Sequence, residues 1–216
     1  TGRRPTTLQT VWSTPPTAVV VTSSKRKLSL ASSRPPDEGQ THALIKGFRR
    51  STGDIQGWLC SDDLLEPRAL QEVDAYFRAN PSVQVTYGDA TWIDTDDRPL
   101  KLKREIPFYR FLWLYGYNYI PQPSTFWRRG LYERVGGLDP GFQCAMDGDL
   151  WHRFSEVTRI EHVLRFWSRM RSYPEQKNQR LREQSNREDH RIRERALGRR
   201  LGGAEAFLFY ILARGT

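Results

Sequence analysis

Two adjacent carboxylates, Asp62 and Asp63, close a short apolar run, Ile55 to Cys60, in the stretch G-D-I-Q-G-W-L-C-S-D-D-L-L-E-P (53–67). Carboxylates where a buried strand stops suit a hard divalent cation, which takes oxygen ligands and shares them with phosphate. The same pair could instead cap the helix expected next, with Pro67 near its first turn, because Asp at a helix start complements the dipole. On these residues alone both readings stand. A second pair, Asp147 and Asp149, sits in A-M-D-G-D-L-W (145–151) at the head of a helical pattern. On spacing alone that pair reads as helix capping.

The surrounding pattern says what must position these groups. Gln40 to Phe48 has helical spacing, with Ala43, Leu44 and Phe48 on one side, and Thr52-Gly53-Asp54 turns into the strand. Beyond the carboxylates, Leu70, Val73, Tyr76 and Phe77 recur helically until Asn80-Pro81 stops them. Val83, Val85 and Tyr87 alternate as a strand, and Asp94 to Arg98 turns back into a short strand at Leu100 to Lys103. Phe108, Phe111, Leu112 and Tyr115 form a helical stripe expected to be core, with Tyr117 and Tyr119 as possible pocket residues. Ile120 to Arg129 is expected to be extended around its two prolines, and Leu131 to Val135 to be a short helix. Val163 to Ser172 alternates apolar and basic residues in the manner of an edge strand, and Glu175 to Arg200 is a charged helix. Near the start, only Ala18 to Thr22 reads as a buried strand.

Composition narrows the partners. The 216 residues carry 34 Lys and Arg against 25 Asp and Glu, a net charge of +9 that calls for an anionic partner. The charge is segregated: 165–200 is basic, while 54–97 is acidic. Glu183, Glu188, Asp189 and Glu194 interrupt the basic run, which argues for a solvated, ion-paired helix and against nucleic acid. Two cysteines, Cys60 and Cys144, exclude a disulfide framework and a four-thiolate zinc site. No run of 18 apolar residues indicates a membrane-spanning helix, and the F-L-F-Y-I-L run at 207–212 is too short for one. The polar start leads into no apolar signal core, so cytoplasmic residence is expected.

Four blocks then fall in one order: G-F-R-R-S-T-G-D-I-Q-G-W-L-C-S-D-D-L-L-E-P (47–67), Y-G-D-A-T-W-I-D (87–94), I-P-Q-P-S-T-F-W-R-R (120–129) and V-G-G-L-D-P-G-F-Q-C-A-M-D-G-D-L-W (135–151). This order resembles the family-2 glycosyltransferases over roughly residues 37–173. The resemblance implies an α/β, GT-A-like mixed sheet flanked by helices, preceded by a poorly patterned segment (1–36) and followed by a basic helical appendage (174–216). It implies inverting transfer of a sugar from a nucleotide diphosphate donor to an acceptor hydroxyl, in building a cell-surface polysaccharide or glycolipid; the alternative is an inactive remnant that only binds. Asp63 and Asp62 would hold Mg²⁺ or Mn²⁺, with Cys60 standing where relatives carry Asp or Asn. Gln40, His42, Ser61 and Asp62 would meet the donor. Asp147 would be the general base, Asp149 would cap the helix or orient its loop, and Gln122 and Trp151 would face the acceptor. Residues 177–216 would touch the inner face of the membrane, where lipid-linked acceptors sit. The D-G-S-x-D-G-T-like motif and the first βα units of such proteins have no counterpart here; Ser23-Ser24-Lys25 follows the early strand instead. The expectation is therefore an N-terminally truncated or altered member.

Overall fold

The computed structural model describes residues 7–12, 18–24, 39–174, 176, 180–203 and 205, with the backbone alone for the first two segments. The elements run β1 (Thr7–Trp12), β2 (Ala18–Ser24), α1 (Gln40–Arg50), β3 (Ile55–Cys60), β4 (Leu64–Leu65), α2 (Ala69–Ala79), β5 (Val85–Ile93), β6 (Pro99–Lys103), α3 (Arg110–Tyr115), β7 (Thr125–Arg128), α4 (Arg129–Arg134), α5 (Met146–Val157), β8 (Ile160–Arg171) and α6 (Arg182–Leu197). The strands form one mixed sheet in the order β1-β2-β3-β7-β5-β8-β4, with β6 folded back on β5. Among the described strands, only β5 and β8 pair in parallel.

The sheet is covered on both faces, which follows from side chains alternating across a strand. Phe126 and Trp127 are neighbours on β7, yet Phe126 packs with Ala69, Val73 and Phe77 of α2, whereas Trp127 packs with residues of α1, α4 and α5. The second core is aromatic. Trp127 and Trp151 are fully buried, Trp58 stacks on Trp151 at 5.8 Å, and Phe48 meets Tyr132 at 4.7 Å. Each such ring removes ~150–250 Å² from water, a gross gain of roughly 4–6 kcal/mol at ~25 cal/mol/Å² before entropy is counted. This core lies directly behind the end of β3, so the strand that carries the carboxylates is held from beneath.

Several expectations change. The helix that Asp62 and Asp63 might have capped begins only at Ala69, after Pro67, and the two-residue strand β4 intervenes. β8 is not an edge strand: it lies between β5 and β4, and β4 forms the edge. Pro121-Gln122-Pro123 is not wholly extended; Gln122–Ser124 makes a single 3₁₀ turn before β7. The aromatic stripe is core only in part: Phe108 and Tyr115 are half-buried against the core, but Phe111 and Leu112 are 69% and 46% exposed, because the adjacent Trp113 and Leu114 take the core positions of α3. β2 runs antiparallel to β3 with Ala18 opposite Cys60, so its Ser23–Ser24 end points away from the carboxylates. No helix among the described residues is long and apolar enough to cross a membrane. The 207–212 apolar run lies outside the described residues.

One glycine is dictated by contact. Between Gly88 and Ala90 of β5 the partner strand advances from Val163 to Ser168, so β8 bulges there. A Cβ on Gly88 would lie 2.4 Å from the Arg165 carbonyl oxygen and 2.8 Å from the Trp167 ring. The Y-G-D motif thus has a packing reason for its central residue.

Candidate functional site

The end of β3, the start of α1, the 3₁₀ turn before β7, the start of α5 and the end of β8 meet around one open cleft of about 320 Å³. Gln40, Ser61, Asp62, Asp63, Gln122 and Asp147 all line it, together with Trp58, Cys60, Trp92, Cys144, Met146, Met170, Arg171, Tyr173 and Gln176. Residues separated by more than one hundred positions therefore share one wall, and the carboxylate pair shares the cleft with Asp147.

The pair is held by β8 and the residues after it. Asp63 Oδ1 accepts the backbone N–H of Arg171 at 2.9 Å, and Asp62 Oδ2 accepts the Tyr173 hydroxyl at 2.9 Å. Arg171 Nε donates to the Asp62 carbonyl at 2.8 Å, and its guanidinium continues to the Asp94 carbonyl and the Asp97 carboxylate in the hairpin turn. One oxygen of each carboxylate is fixed in this way. Burial pushes the Asp63 carboxyl up to about 7, the nearby Asp62 adds to this, and the Arg171 N–H and charge oppose it. A carboxyl so placed gains from a cation that restores the charge balance.

Cys60 Sγ, an Asp62 oxygen and an Asp63 oxygen lie within 4.8 Å of one another. The carboxylates fit Mg²⁺ or Mn²⁺, but the thiol does not. It donates to Gln122 Oε1 and accepts from Gln40 Nε2, each at 3.5 Å, and burial, reinforced by Asp63, Asp62 and Asp147, pushes its pKa up. A protonated thiol is a poor ligand for a hard ion. Cys60 instead links the first residue of α1 to the 3₁₀ turn, whose Gln122 Nε2 also donates to the Trp58 carbonyl at 2.6 Å.

Asp147 stands in the first turn of α5 and accepts from Asn118 Nδ2 at 3.0 Å. Asp149, two residues on, turns the other way. It is 1% exposed and bridges Arg153 at 2.5 Å and Arg195 at 3.3 Å, while Arg153 also donates to the carbonyls of Val135 and Gly137. It ties the V-G-G turn to α5. Trp151 does not reach the cleft: it is fully buried and supports Trp58 from behind. His42 sits on α1 away from the cleft lining, and Tyr117 and Tyr119 do not line it either. Arg171, Tyr173 and Asn118 were not marked by any local pattern. Their only signal was a basic strand end in one case and two unremarkable loop positions in the others.

No protein-family model matches the sequence. The chain is 35% identical to the O-antigen biosynthesis protein RfbC of Myxococcus xanthus over 132 residues, which is 58% of this chain and 10% of RfbC. Its structure matches that of S. aureus TarS 1–349 with a TM-score of 0.51 at 17% identity, covering 82% of this chain and 50% of that one. The match to TarS 1–349 in complex with UDP-GlcNAc has a TM-score of 0.54 at 16% identity, covering 82% and 52%. The fold is GT-A-like. The chain thus spans about half the length of the TarS structures and a tenth of RfbC. The mixed sheet flanked by helices is the GT-A-like architecture that the four sequence blocks imply.

Proposed function

We propose that this chain is the sugar-transferring part of a family-2 inverting glycosyltransferase that uses a nucleotide diphosphate sugar. The observation that carries the reading is the shared cleft: Asp62 and Asp63 do not cap a helix, and they open onto the same space as Asp147. Asp62 and Asp63 would hold Mg²⁺ or Mn²⁺, which supplies charge neutralisation for the departing diphosphate. Gln40 and Ser61 would meet the donor on the β3 side, and Gln122 would stand on the acceptor side. Asp147 acts as general base: it takes the proton of the acceptor hydroxyl as that oxygen bonds to the anomeric carbon and the bond from that carbon to the phosphate oxygen breaks. Asn118 orients the Asp147 carboxylate for this transfer.

The relation to RfbC supports an acceptor in cell-surface polysaccharide synthesis, a glycan or a lipid-linked one, and the complex of TarS with UDP-GlcNAc makes UDP-GlcNAc the first donor to try. Peripheral contact at the inner membrane face through 177–216 belongs to the same reading. A second reading, a module that binds without turnover, is favoured by the direction of β2: Ala18 pairs with Cys60 and Ser23 with Ile55, so its C-terminal end lies away from the cleft. Calorimetry of UDP with and without Mn²⁺, followed by a screen of nucleotide sugars for diphosphate release, tests both. Mn²⁺-dependent binding with release supports the transferase; binding without release under any donor supports the module; neither defeats both.

A further inference from the structure

The helix α5 that carries Asp147 starts without a conventional cap. Its N-cap residue is Ala145, which has no side-chain acceptor for the free N–H groups of the first turn. A carboxylate of α6 holds the approach to the helix instead, at three N–H groups that precede the first turn. Glu188, 7% exposed, takes the backbone N–H of Gln143 at 3.0 and 3.1 Å through its two oxygens, that of Cys144 at 2.7 Å and that of Ala145 at 2.9 Å. Burial works against its ionisation, but the donations from Ala145, Cys144, Gln184 and Gln143 outweigh it and hold the carboxyl below its usual range. Three N–H groups converging on one carboxylate at a helix start form a strong, charge-assisted arrangement.

The rest of α6 follows the same loop. Arg191 lies 3.9 Å over the Phe142 ring and donates to the Gly141 carbonyl, and the Ile192 side chain, 1% exposed, packs beside Gly148. The loop held between these contacts delivers Cys144, Met146 and Asp147 to the cleft.

We propose that Glu188 is a positioning residue for the acceptor side of the cleft, setting the place of Asp147 through the 143–145 backbone. The proposal rests on the transferase reading for its catalytic consequence and on the geometry of α6 for its structural one. It makes α6 part of the site.

The test uses the full chain with Glu188→Gln and Glu188→Ala. Amide exchange should accelerate at residues 143–149 in both variants while α2 keeps its wild-type protection, and Cys144 should alkylate faster. Diphosphate release should fall between about tenfold and 10²-fold in kcat, the upper figure being what misplacement of a catalytic group by about 1 Å can cost, with donor KM and UDP affinity unchanged. Gln, which keeps a neutral acceptor, should retain more rate than Ala; if Ala does not fold, the Gln variant decides. Unchanged exchange at 143–149 overturns the proposal, as does faster exchange with kcat intact. A wild-type chain that releases no diphosphate from any donor defeats the transferase reading, and the exchange and alkylation rates then decide the clamp by themselves.

Discussion

The backbone N–H of Arg171 donates to Asp63 Oδ1 at 2.9 Å, so the last residue of β8 fixes a carboxylate at the end of β3 across 108 positions of chain. The contact pins the group but does not neutralise it, and that has a measurable consequence.

Asp63 has a folded-state value of about 7 against an ordinary 3.8. Between pH 4 and 7 the unfolded chain has released this proton and the folded chain still holds it. Asp63 therefore contributes stability that is full below about pH 4 and is lost as pH rises through 7. In EDTA, the melting temperature of wild type should fall across this window by more than that of Asp63→Asn, which keeps the acceptor for Arg171 but cannot ionise. Mn²⁺ binding should strengthen as pH rises through 7 and should vanish in the variant. Parallel pH profiles for the two proteins would contradict the assignment.

Asp147 and Asp149 are two residues apart and should respond oppositely. Asp147→Asn should lower turnover by about 10²-fold or more and leave the melting temperature and UDP affinity near wild type. Asp149→Asn unpairs Arg153 in the interior and should cost about 3 kcal/mol in urea denaturation, in the range for breaking a buried ion pair. Equal losses of stability in both would mean that Asp147 serves only the fold.

Gly88→Ala places a methyl group against the Arg165 carbonyl and the Trp167 ring, neither of which can turn aside. The strand pair must separate, at a cost of roughly 1–3 kcal/mol. Chemical denaturation should show it as a lower midpoint, and Gly130→Ala, with open space around it, is the control.

Phe111 is 69% exposed on α3. Phe111→Ser should change stability by no more than about 0.5 kcal/mol, whereas Trp113→Ser, on the buried side of the same helix, should be severely destabilising. A large effect at Phe111 would show that the outward face is covered in solution.

How far the sequence could be read depended on how local the signal was. β3, α1, α2, the β5–β6 hairpin and the helix after Asp147 were legible because each carries its own period and its own stop. That Asp62 and Asp63 do not cap the next helix was not, because it turned on Leu64–Leu65, a strand too short to show alternation. On α3 the stripe of Phe111, Leu112 and Tyr115 has the correct spacing, but periodicity finds an apolar face without saying which face the rest of the chain will cover. β8 looked like an edge because its basic residues alternate; its parallel neighbour β5 lies some 75 residues earlier and leaves no local mark. Glu188 read as an interruption in a basic helix, since nothing near it in sequence shows the three N–H groups it meets.

Of the seven tryptophans, Trp58 and Trp92 line the cleft, and Trp58 stacks on the fully buried Trp151. The aromatic core that props up β3 thus ends in an indole at the cleft wall. Its emission should respond when a nucleotide enters, and a paramagnetic ion such as Mn²⁺ held by Asp62 and Asp63 should quench it at short range. The chain carries its own optical reporter of occupancy, and titrations need no label.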